Sequence, residues 1–254
     1  MRNTVPAVTA LFWATKLLTT AMGETASDFL VKTIDPVVAV GGAFVVFAVA
    51  LGLQFAVRRY IPWVYWSAVL MVAVFGTMVA DVLHVELGVP YLVSTVVFAV
   101  ALAMVFVLWF ATQRTLSVHR IDTPARQVFY WCAVLATFAL GTAVGDLTAT
   151  TLGLGYFASA LLFGILFALP GAAYRWWGFG ATAAFWTAYV LTRPFGASLS
   201  DGLAVSHARG GLALGTGPVS LVLLAAIAVC VTVLSVRGRP ATGTVAEAPS
   251  AAGL

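Results

Sequence analysis

The sequence predicts an all-α integral membrane protein in which eight transmembrane helices form four tandem two-helix repeats, inserted in parallel orientation as a pseudo-fourfold bundle. Three observations predict this fold class. The chain of 254 residues is 62% hydrophobic and only 9% charged, whereas soluble domains carry about 25% charged residues. Eight apolar segments are long enough to cross a bilayer as helices. One motif recurs in every odd-numbered segment.

The eight segments are bounded by charged residues, Pro or Gly, and each approaches the roughly 20 residues that span a hydrocarbon core of about 30 Å. They cover approximately residues 9–29, 37–57, 63–83, 90–112, 128–148, 156–174, 182–200 and 218–236. The first segment has no A-x-A-like cleavage site, so we expect it to be retained rather than removed as a signal peptide. Cys132 and Cys230 lie inside predicted segments, which argues against a disulfide framework or a Cys-ligated metal.

The distribution of cations predicts the orientation. Nine arginines fall at one set of helix ends and loops: Arg2, Arg58, Arg59, Arg114, Arg120, Arg126, Arg175, Arg237 and Arg239. The opposite set carries Lys32, Arg193 and Arg209. Because cytoplasmic loops are enriched in Lys and Arg, we expect both termini in the cytoplasm. The pI of about 9.3 then reflects topology, and no nucleic-acid partner is expected. Residues 238–254 are predicted to be a disordered cytoplasmic tail after a single transmembrane domain, residues 1–237.

An internal repeat organises the chain. The stretches "FWATKLLTTAMGETASD", "YWSAVLMVAVFGTMVAD", "YWCAVLATFALGTAVGD" and "FWTAYVLTRPFGASLSD" align without gaps. In each, an aromatic residue precedes a Trp, a Gly follows ten residues later, and an Asp follows the Gly by five. These residues are Trp13, Trp66, Trp131 and Trp186; Gly23, Gly76, Gly141 and Gly196; and Asp28, Asp81, Asp146 and Asp201. The repeats are predicted at about residues 9–58, 62–113, 127–175 and 181–237.

This motif resembles that of a family of bacterial multi-pass proteins, described only as uncharacterised membrane-anchored proteins, with four tandem two-helix repeats and a characteristic Trp. The resemblance covers about residues 5–237. It implies the fold and a location in the bacterial cytoplasmic (inner) membrane. It implies no activity.

Two motif positions are predicted to serve packing. Each Gly is followed four residues later by a small residue, and Gly-x-x-x-small faces let membrane helices approach closely. We therefore expect the four glycines to lie where the odd-numbered helices pack together. Each Trp lies about 22 Å from its Asp by helix rise. We expect the tryptophans to anchor the helices at the cytoplasmic interface rather than to form an aromatic ligand site.

The residue after each motif Gly lies four positions before the Asp, on the same helical face. The pairs are Glu24 with Asp28, Thr77 with Asp81, Thr142 with Asp146, and Ala197 with Asp201. Oxygen ligands suit hard cations, whereas the scarcity of His and Cys argues against zinc or copper. We expect the oxygen-bearing members to bind a cation, with the four aspartates as hypothetical metal ligands. His84 is an additional candidate ligand, although a loop histidine without a role is more common. No cofactor is expected beyond a bound divalent cation.

Lys16, Glu24 and Arg193 give the first and last repeats charges that the middle repeats lack. If the repeats close into a ring, Glu24 and Arg193 differ in depth by about 6 Å. The pattern predicts a Glu24–Arg193 ion pair across the seam, with Lys16 one or two turns deeper, and a role of Lys16 and Arg193 in ion pairing or gating. The alternative is that both cations snorkel separately to the membrane surface.

These features favour a transporter or channel for a cation, either a divalent metal or a proton-coupled ion, with an outward-facing acidic site. Seven of the nine acids lie on the outer half with four cations, which leaves negative charge for protons or a dissolved cation to neutralise. The alternative is a non-catalytic scaffold or sensor with structural aspartates. An enzyme is disfavoured because H-E-x-x-H and G-x-S-x-G motifs are absent. The expected partners are the lipid bilayer and a small cation. The sequence leaves the oligomeric state and transported species open.

Overall fold

The computed structural model describes residues 3–237, without the side chains of residues 85 and 86. This part of the chain contains eight long helices and no strand. They are α1 (Ala10–Thr33), α2 (Pro36–Ala56), α3 (Pro62–Asp81), α4 (Tyr91–Gln113), α5 (Pro124–Asp146), α6 (Tyr156–Trp176), α7 (Ala181–Ala204) and α8 (Thr216–Arg237). The predicted tail, residues 238–254, lies outside the described residues.

Local sequence explains where several helices begin. The Asp35 side chain accepts hydrogen bonds from the backbone N–H groups of Val37 and Val38, and Pro36 follows it at the first helical position of α2. A side-chain acceptor at the N-cap satisfies N–H groups that have no partner within the helix, and Pro at that position loses no helical hydrogen bond. Thr123 and Pro124 start α5 in the same way.

Six of the described helices are long and apolar enough to cross a membrane: Pro36–Ala56, Pro62–His84, Tyr91–Gln113, Pro124–Thr151, Tyr156–Trp176 and Thr216–Arg237. The chain is therefore an all-α membrane protein with transmembrane helices and an internal repeat. The other two helices, α1 and α7, carry the buried charges Lys16, Glu24 and Arg193. A membrane helix enclosed by other helices need not be apolar on every face.

The odd-numbered helices form an inner ring in the order α1, α3, α5, α7 and back to α1. The even-numbered helices lie outside this ring, and each packs mainly on the inner helix of the following repeat. Thus α2 packs on α3, α4 on α5 and α6 on α7, while α8 packs on α1 and closes the ring. At that closure the Ser220 hydroxyl donates a hydrogen bond of 2.8 Å to Thr25 Oγ1. The predicted ring is therefore present.

The motif glycines lie at the four crossings of the inner ring. Each faces the residue three positions before the glycine of the next repeat: Gly23 faces Ala73, Gly76 faces Phe138, Gly141 faces Arg193 and Gly196 faces Thr20. A Cβ atom at Gly76 would lie 3.3 Å from the Phe138 Cβ, and at the other three positions it would overlap the neighbouring helix. The absence of a side chain thus lets the backbones approach, as predicted.

The motif tryptophans close the same ring near the starts of the inner helices. Each packs on the first aromatic residue of the preceding motif, with ring centroids 5.5–5.9 Å apart. The pairs are Trp66 with Phe12, Trp131 with Tyr65, Trp186 with Tyr130 and Trp13 with Phe185. Because a headgroup anchor must reach the membrane surface, the prediction of interface anchors is wrong for Trp66, Trp131 and Trp186, which are at most 6% exposed. They serve as contacts between repeats.

Candidate functional site

The interior of the ring is built from side chains at every fourth position of the inner helices. Starting from the aromatic residue that opens each motif, steps of four residues give five sets with one residue per repeat. We call them the aromatic set (Phe12, Tyr65, Tyr130, Phe185), the lysine set (Lys16, Val69, Val134, Tyr189), the arginine set (Thr20, Ala73, Phe138, Arg193), the hydroxyl set (Glu24, Thr77, Thr142, Ala197) and the aspartate set (Asp28, Asp81, Asp146, Asp201). The first four sets are buried, and the aspartate set is partly exposed.

Arg193 spans the interior and connects all four repeats. Its Nη2 lies 2.5 Å from Glu24 Oε2 and donates to the hydroxyls of Thr77 and Thr142, the latter at 2.8 Å. Its Nη1 donates to the backbone carbonyl of Thr20 at 3.0 Å. The guanidinium is 1% exposed, so its charge is compensated by Glu24 and by oxygen acceptors rather than by water.

This arrangement contains the predicted Glu24–Arg193 ion pair across the seam between the last and first repeats. The alternative, in which Lys16 and Arg193 reach the membrane surface separately, is wrong because both residues are only 1% exposed. The oxygen atoms of Glu24, Thr77 and Thr142, which we expected to bind a dissolved cation together with the aspartates, instead surround the guanidinium. In the structure the hydroxyl set thus binds a cation that belongs to the protein itself.

Lys16 places a second cation deeper in the bundle. Its Nζ lies 4.0 Å from the centroid of the Phe138 ring and 4.3 Å from that of Tyr189. It has no hydrogen-bond partner among the described residues. The negative faces of aromatic rings attract cations, but they do not supply a counter-charge. Lys16 is therefore not part of the Glu24–Arg193 pair.

The aspartate set lies one helical turn beyond the hydroxyl set, at the partly exposed end of the interior. Asp28 pairs with Lys32 on its own helix. The carboxylates of Asp81, Asp146 and Asp201 form no ion pair or hydrogen bond with any side chain that the structure describes. They interact electrostatically with one another and with Asp28 and Glu24. This end of the bundle therefore concentrates negative charge that the described side chains compensate only in part.

Backbone geometry changes at two of these aspartates. A π-helical turn follows Asp81 at Val82–Glu86, and another follows Asp146 at Leu147–Thr151. In contrast, α1 and α7 continue past Asp28 and Asp201 as ordinary α-helix. Such wide turns are frequent at functional sites because they re-aim side chains. The middle repeats thus differ in backbone from the outer ones at the mouth of the interior.

The aspartates do not form a compact metal cluster. Among the residues that the structure describes, no three His, Cys, Asp or Glu side chains come close enough to hold one metal ion. His84, the additional candidate ligand, contacts the Val89 carbonyl through Nδ1 at 3.0 Å and the Ser94 hydroxyl through Nε2 at 3.4 Å. These contacts give His84 a local structural role beside the π-helical turn.

The end of the interior opposite the aspartates is closed by aromatic side chains. The hydroxyls of Tyr65 and Tyr130 lie 2.5 Å apart, and both residues are fully buried. We did not predict a role for these residues, or for Phe138 and Tyr189. Counting back from each Asp in steps of four residues would have placed all of them on the same helical face as the aspartate.

Comparisons with known proteins give a family but no described relative. No curated protein and no solved structure matches the chain significantly. A family model matches it four times, at residues 11–60, 64–115, 129–177 and 184–239. These matches coincide with the four copies of the motif and cover well over half of the chain. The chain therefore belongs to the family described as Repeat of Unknown Function (DUF347).

Proposed function

We propose that all eight helices cross the membrane and that the four inner helices run in the same direction. Hydrogen bonds support this topology: Thr4 binds Ile121, and Asn3 binds both Tyr60 and Val118. They join the N-terminal segment to the loops before α3 and α5, which carry several of the arginines. Under the positive-inside rule this end is cytoplasmic, in a bacterial inner membrane with both termini inside.

We propose that the protein is a cation transporter whose external site is the aspartate set. The observation that carries this proposal is the state of Asp81, Asp146 and Asp201, three mutually interacting carboxylates without a described ion-pair partner. Acids within transmembrane helices are costly and generally mark ion pathways. A dissolved cation, held directly or through its water molecules, would supply the missing positive charge.

The interior beyond the aspartates suggests how passage is controlled. A cation that moves inward from the aspartate set next meets the hydroxyl set, where Glu24, Thr77 and Thr142 already bind Arg193. Two positive charges at this depth repel each other strongly because the interior has a low dielectric constant. The cation must therefore displace the guanidinium before it reaches Glu24. This favours a gated transporter over an open channel.

The second candidate function is a scaffold or sensor, and the Arg193 network is the observation that favours it. A side chain that connects all four inner helices fixes the ring in one arrangement. Under this alternative the aspartates contribute to helix packing or solubility and bind no ion.

Thermal unfolding of the purified protein in detergent distinguishes these functions. Na⁺, K⁺, Mg²⁺, Ca²⁺ and Mn²⁺ are titrated separately against the wild type and the double variant Asp81→Asn/Asp146→Asn. A ligand of the native state stabilises it by RT ln(1 + [L]/Kd), about 2.7 kcal/mol at one hundred times Kd. We expect a saturating, cation-selective stabilisation of the wild type that the double variant lacks.

Asp122→Asn is the matched control. Asp122 pairs with Arg126 at the proposed cytoplasmic end, 2.8 Å away and well exposed, so this variant removes a carboxylate without touching the aspartate set. It should respond to the cation as the wild type does. If no cation stabilises the wild type and the double variant is less stable in every solution, the aspartates are structural and the scaffold function is correct.

A further inference from the structure

Lys16 is a buried ionisable group that the proposed cation site does not use. Its side chain is 1% exposed, and its Nζ contacts two aromatic rings but no hydrogen-bond acceptor. A permanently charged ammonium in such a place is normally compensated by a carboxylate. The nearest carboxylate on its own helix is Glu24, two turns away and bound to Arg193.

The helices around Lys16 supply no free counter-charge. From α7 it meets Arg193 and Tyr189, from α3 Tyr65, and from α5 Phe138 and Tyr130, the two tyrosines at the aromatic set. Helix α2 contains no ionisable side chain, and α8 contains only Cys230 and the terminal Arg237. The charges nearest to Lys16 are therefore the positive charge of Arg193 and the Glu24 carboxylate that neutralises it.

We propose that Lys16 is a proton-binding site that releases its proton when a cation binds to the carboxylates of the bundle. This inference rests on the proposed cation transport and adds its coupling ion. A cation that reaches Glu24 takes away the partner of Arg193, which leaves the guanidinium and the Lys16 ammonium as two uncompensated cations. Arginine does not lose its proton in proteins, whereas lysine does. One charge enters and one proton leaves, so the net charge of the interior is kept for a monovalent ion.

Phenolic hydroxyls line a route from Lys16 to the opposite end of the bundle. The Tyr189 ring contacts the ammonium, and the Tyr189 hydroxyl is buried without a hydrogen-bond partner among the described residues. The hydrogen-bonded pair of Tyr65 and Tyr130 follows. Tyr60, in the loop before α3, packs on Tyr65 with ring centroids 5.7 Å apart and accepts a hydrogen bond from Trp66.

Along this route each phenol accepts one proton and passes its own to the next group, so no phenolate accumulates. The proton leaves the Lys16 nitrogen and ends on water at the Tyr60 loop. Burial raises the pKa of Tyr60 to about 12, partly offset by the hydrogen bond from Trp66. Tyr60 therefore keeps its proton at neutral pH and can act as a neutral donor and acceptor at the exit.

Calorimetric titration of the full-length protein in detergent tests this inference. NaCl, MgCl₂ and MnCl₂ are titrated separately at pH 7 in two buffers with different enthalpies of protonation, and the difference in binding heat gives the protons released per cation. Carboxylates of the aspartate set contribute equally in wild type and Lys16 variants. We expect the wild type to release about one proton more per cation than Lys16→Met.

Lys16→Arg is the second variant, because it keeps the positive charge and the length but cannot give up its proton. It should bind the cation at least tenfold more weakly than the wild type and release no more protons than Lys16→Met. The wild-type affinity should also rise about tenfold per pH unit where one proton is exchanged. This rise should disappear in Lys16→Arg, which serves as the test if Lys16→Met does not fold.

The outcomes separate the two proposals. Cation binding with equal proton release in the wild type and both variants overturns the role of Lys16 but leaves cation binding intact. An absence of binding heat for every cation in the wild type overturns the proposed transport, and the role of Lys16 with it.

Discussion

Arg193 occupies the position that is Thr20, Ala73 or Phe138 in the other repeats, and from there it extends a charge across the interior to Glu24. The pair is buried on both sides, with side-chain exposures of 1% and 6%. Removing one partner of a buried ion pair costs about 3–5 kcal/mol because the other charge remains without compensation, whereas replacing both by apolar groups is often neutral. The stability of the ring therefore depends on matching these two residues.

Glu24→Gln tests this dependence. We expect it to lower the free energy of unfolding by about 3 kcal/mol or more, because the guanidinium stays buried without its counter-charge. Denaturant unfolding in detergent, followed by tryptophan fluorescence, gives this quantity. The double variant Glu24→Gln/Arg193→Met removes the stranded charge and should recover most of the loss.

Asp122→Asn is the control for an ion pair at the surface, since the Asp122–Arg126 pair has side-chain exposures of 44% and 22%. Exposed pairs contribute at most about 1 kcal/mol, so this variant should be close to the wild type. An effect of Glu24→Gln as small as that of Asp122→Asn would contradict a buried, stabilising pair.

The sequence allowed the ion pair to be predicted but not the surroundings of Lys16. Glu24 and Arg193 are opposite charges at similar depth in a chain with few charges, so a ring closure was enough to bring them together. The partners of Lys16 are the faces of Phe138 and Tyr189. Aromatic residues are common in this chain, and only the order of helices around the ring shows which two lie beside Lys16.

At the scale of helices, the crossing of α1 and α3 depends on the absence of a side chain at Gly23. A Cβ there would overlap the Cβ of Ala73 and lie 3.0 Å from its backbone carbonyl carbon. A flexible side chain cannot turn away to relieve this contact, so the helices must separate. Because membrane helices associate through close packing, the loss falls directly on stability.

Gly23→Ala should therefore lower the free energy of unfolding by about 1–3 kcal/mol, the usual cost of overpacking. Gly42→Ala in α2 is the matched control, since nothing lies within 4 Å of its added Cβ. Alanine favours a helix interior over glycine by up to about 1 kcal/mol, so this variant should be as stable as the wild type or more stable. Equal behaviour of the two variants in denaturant unfolding would show that the α1–α3 crossing does not require Gly23.

The boundaries of the helices were predictable where apolar residues end, and less so where polar residues continue a helix. Prediction placed the first segment at residues 9–29, whereas α1 ends at Thr33. Its last turn contains Lys32, whose partner Asp28 lies one turn earlier on the same helix. Similarly, α7 continues beyond residue 200 to Ala204. A hydropathy criterion stops at charges, but the backbone hydrogen bonds of a helix do not.

At the scale of the whole molecule, the four repeats interlock rather than stand side by side. Each outer helix packs on the inner helix of the next repeat, and α8 returns to α1. The repeated motif was sufficient to predict a ring of inner helices, because its glycines and small residues mark one face of each. The positions of the outer helices were not predictable, since their apolar surfaces are suitable for lipid and for protein alike.

Closure of the ring by α8 makes a direct prediction about the distance between the first and last repeats. The hydroxyl oxygens of Thr25 and Ser220 are 2.8 Å apart, so cysteines at these positions should meet the short Cβ–Cβ distance that a disulfide requires. The variant Thr25→Cys/Ser220→Cys is made with Cys132→Ala and Cys230→Ala, and a protease site is inserted in the loop between α4 and α5. After mild oxidation and cleavage, the two fragments should migrate together on a non-reducing gel and separate on reduction. Thr25→Cys/Ser235→Cys is the matched control, because Ser235 lies on the same helix about 22 Å further along. Fragments that separate without reductant in the first variant would contradict closure of the ring through α8, whereas a cross-linked dimer would show that α8 packs on a second copy.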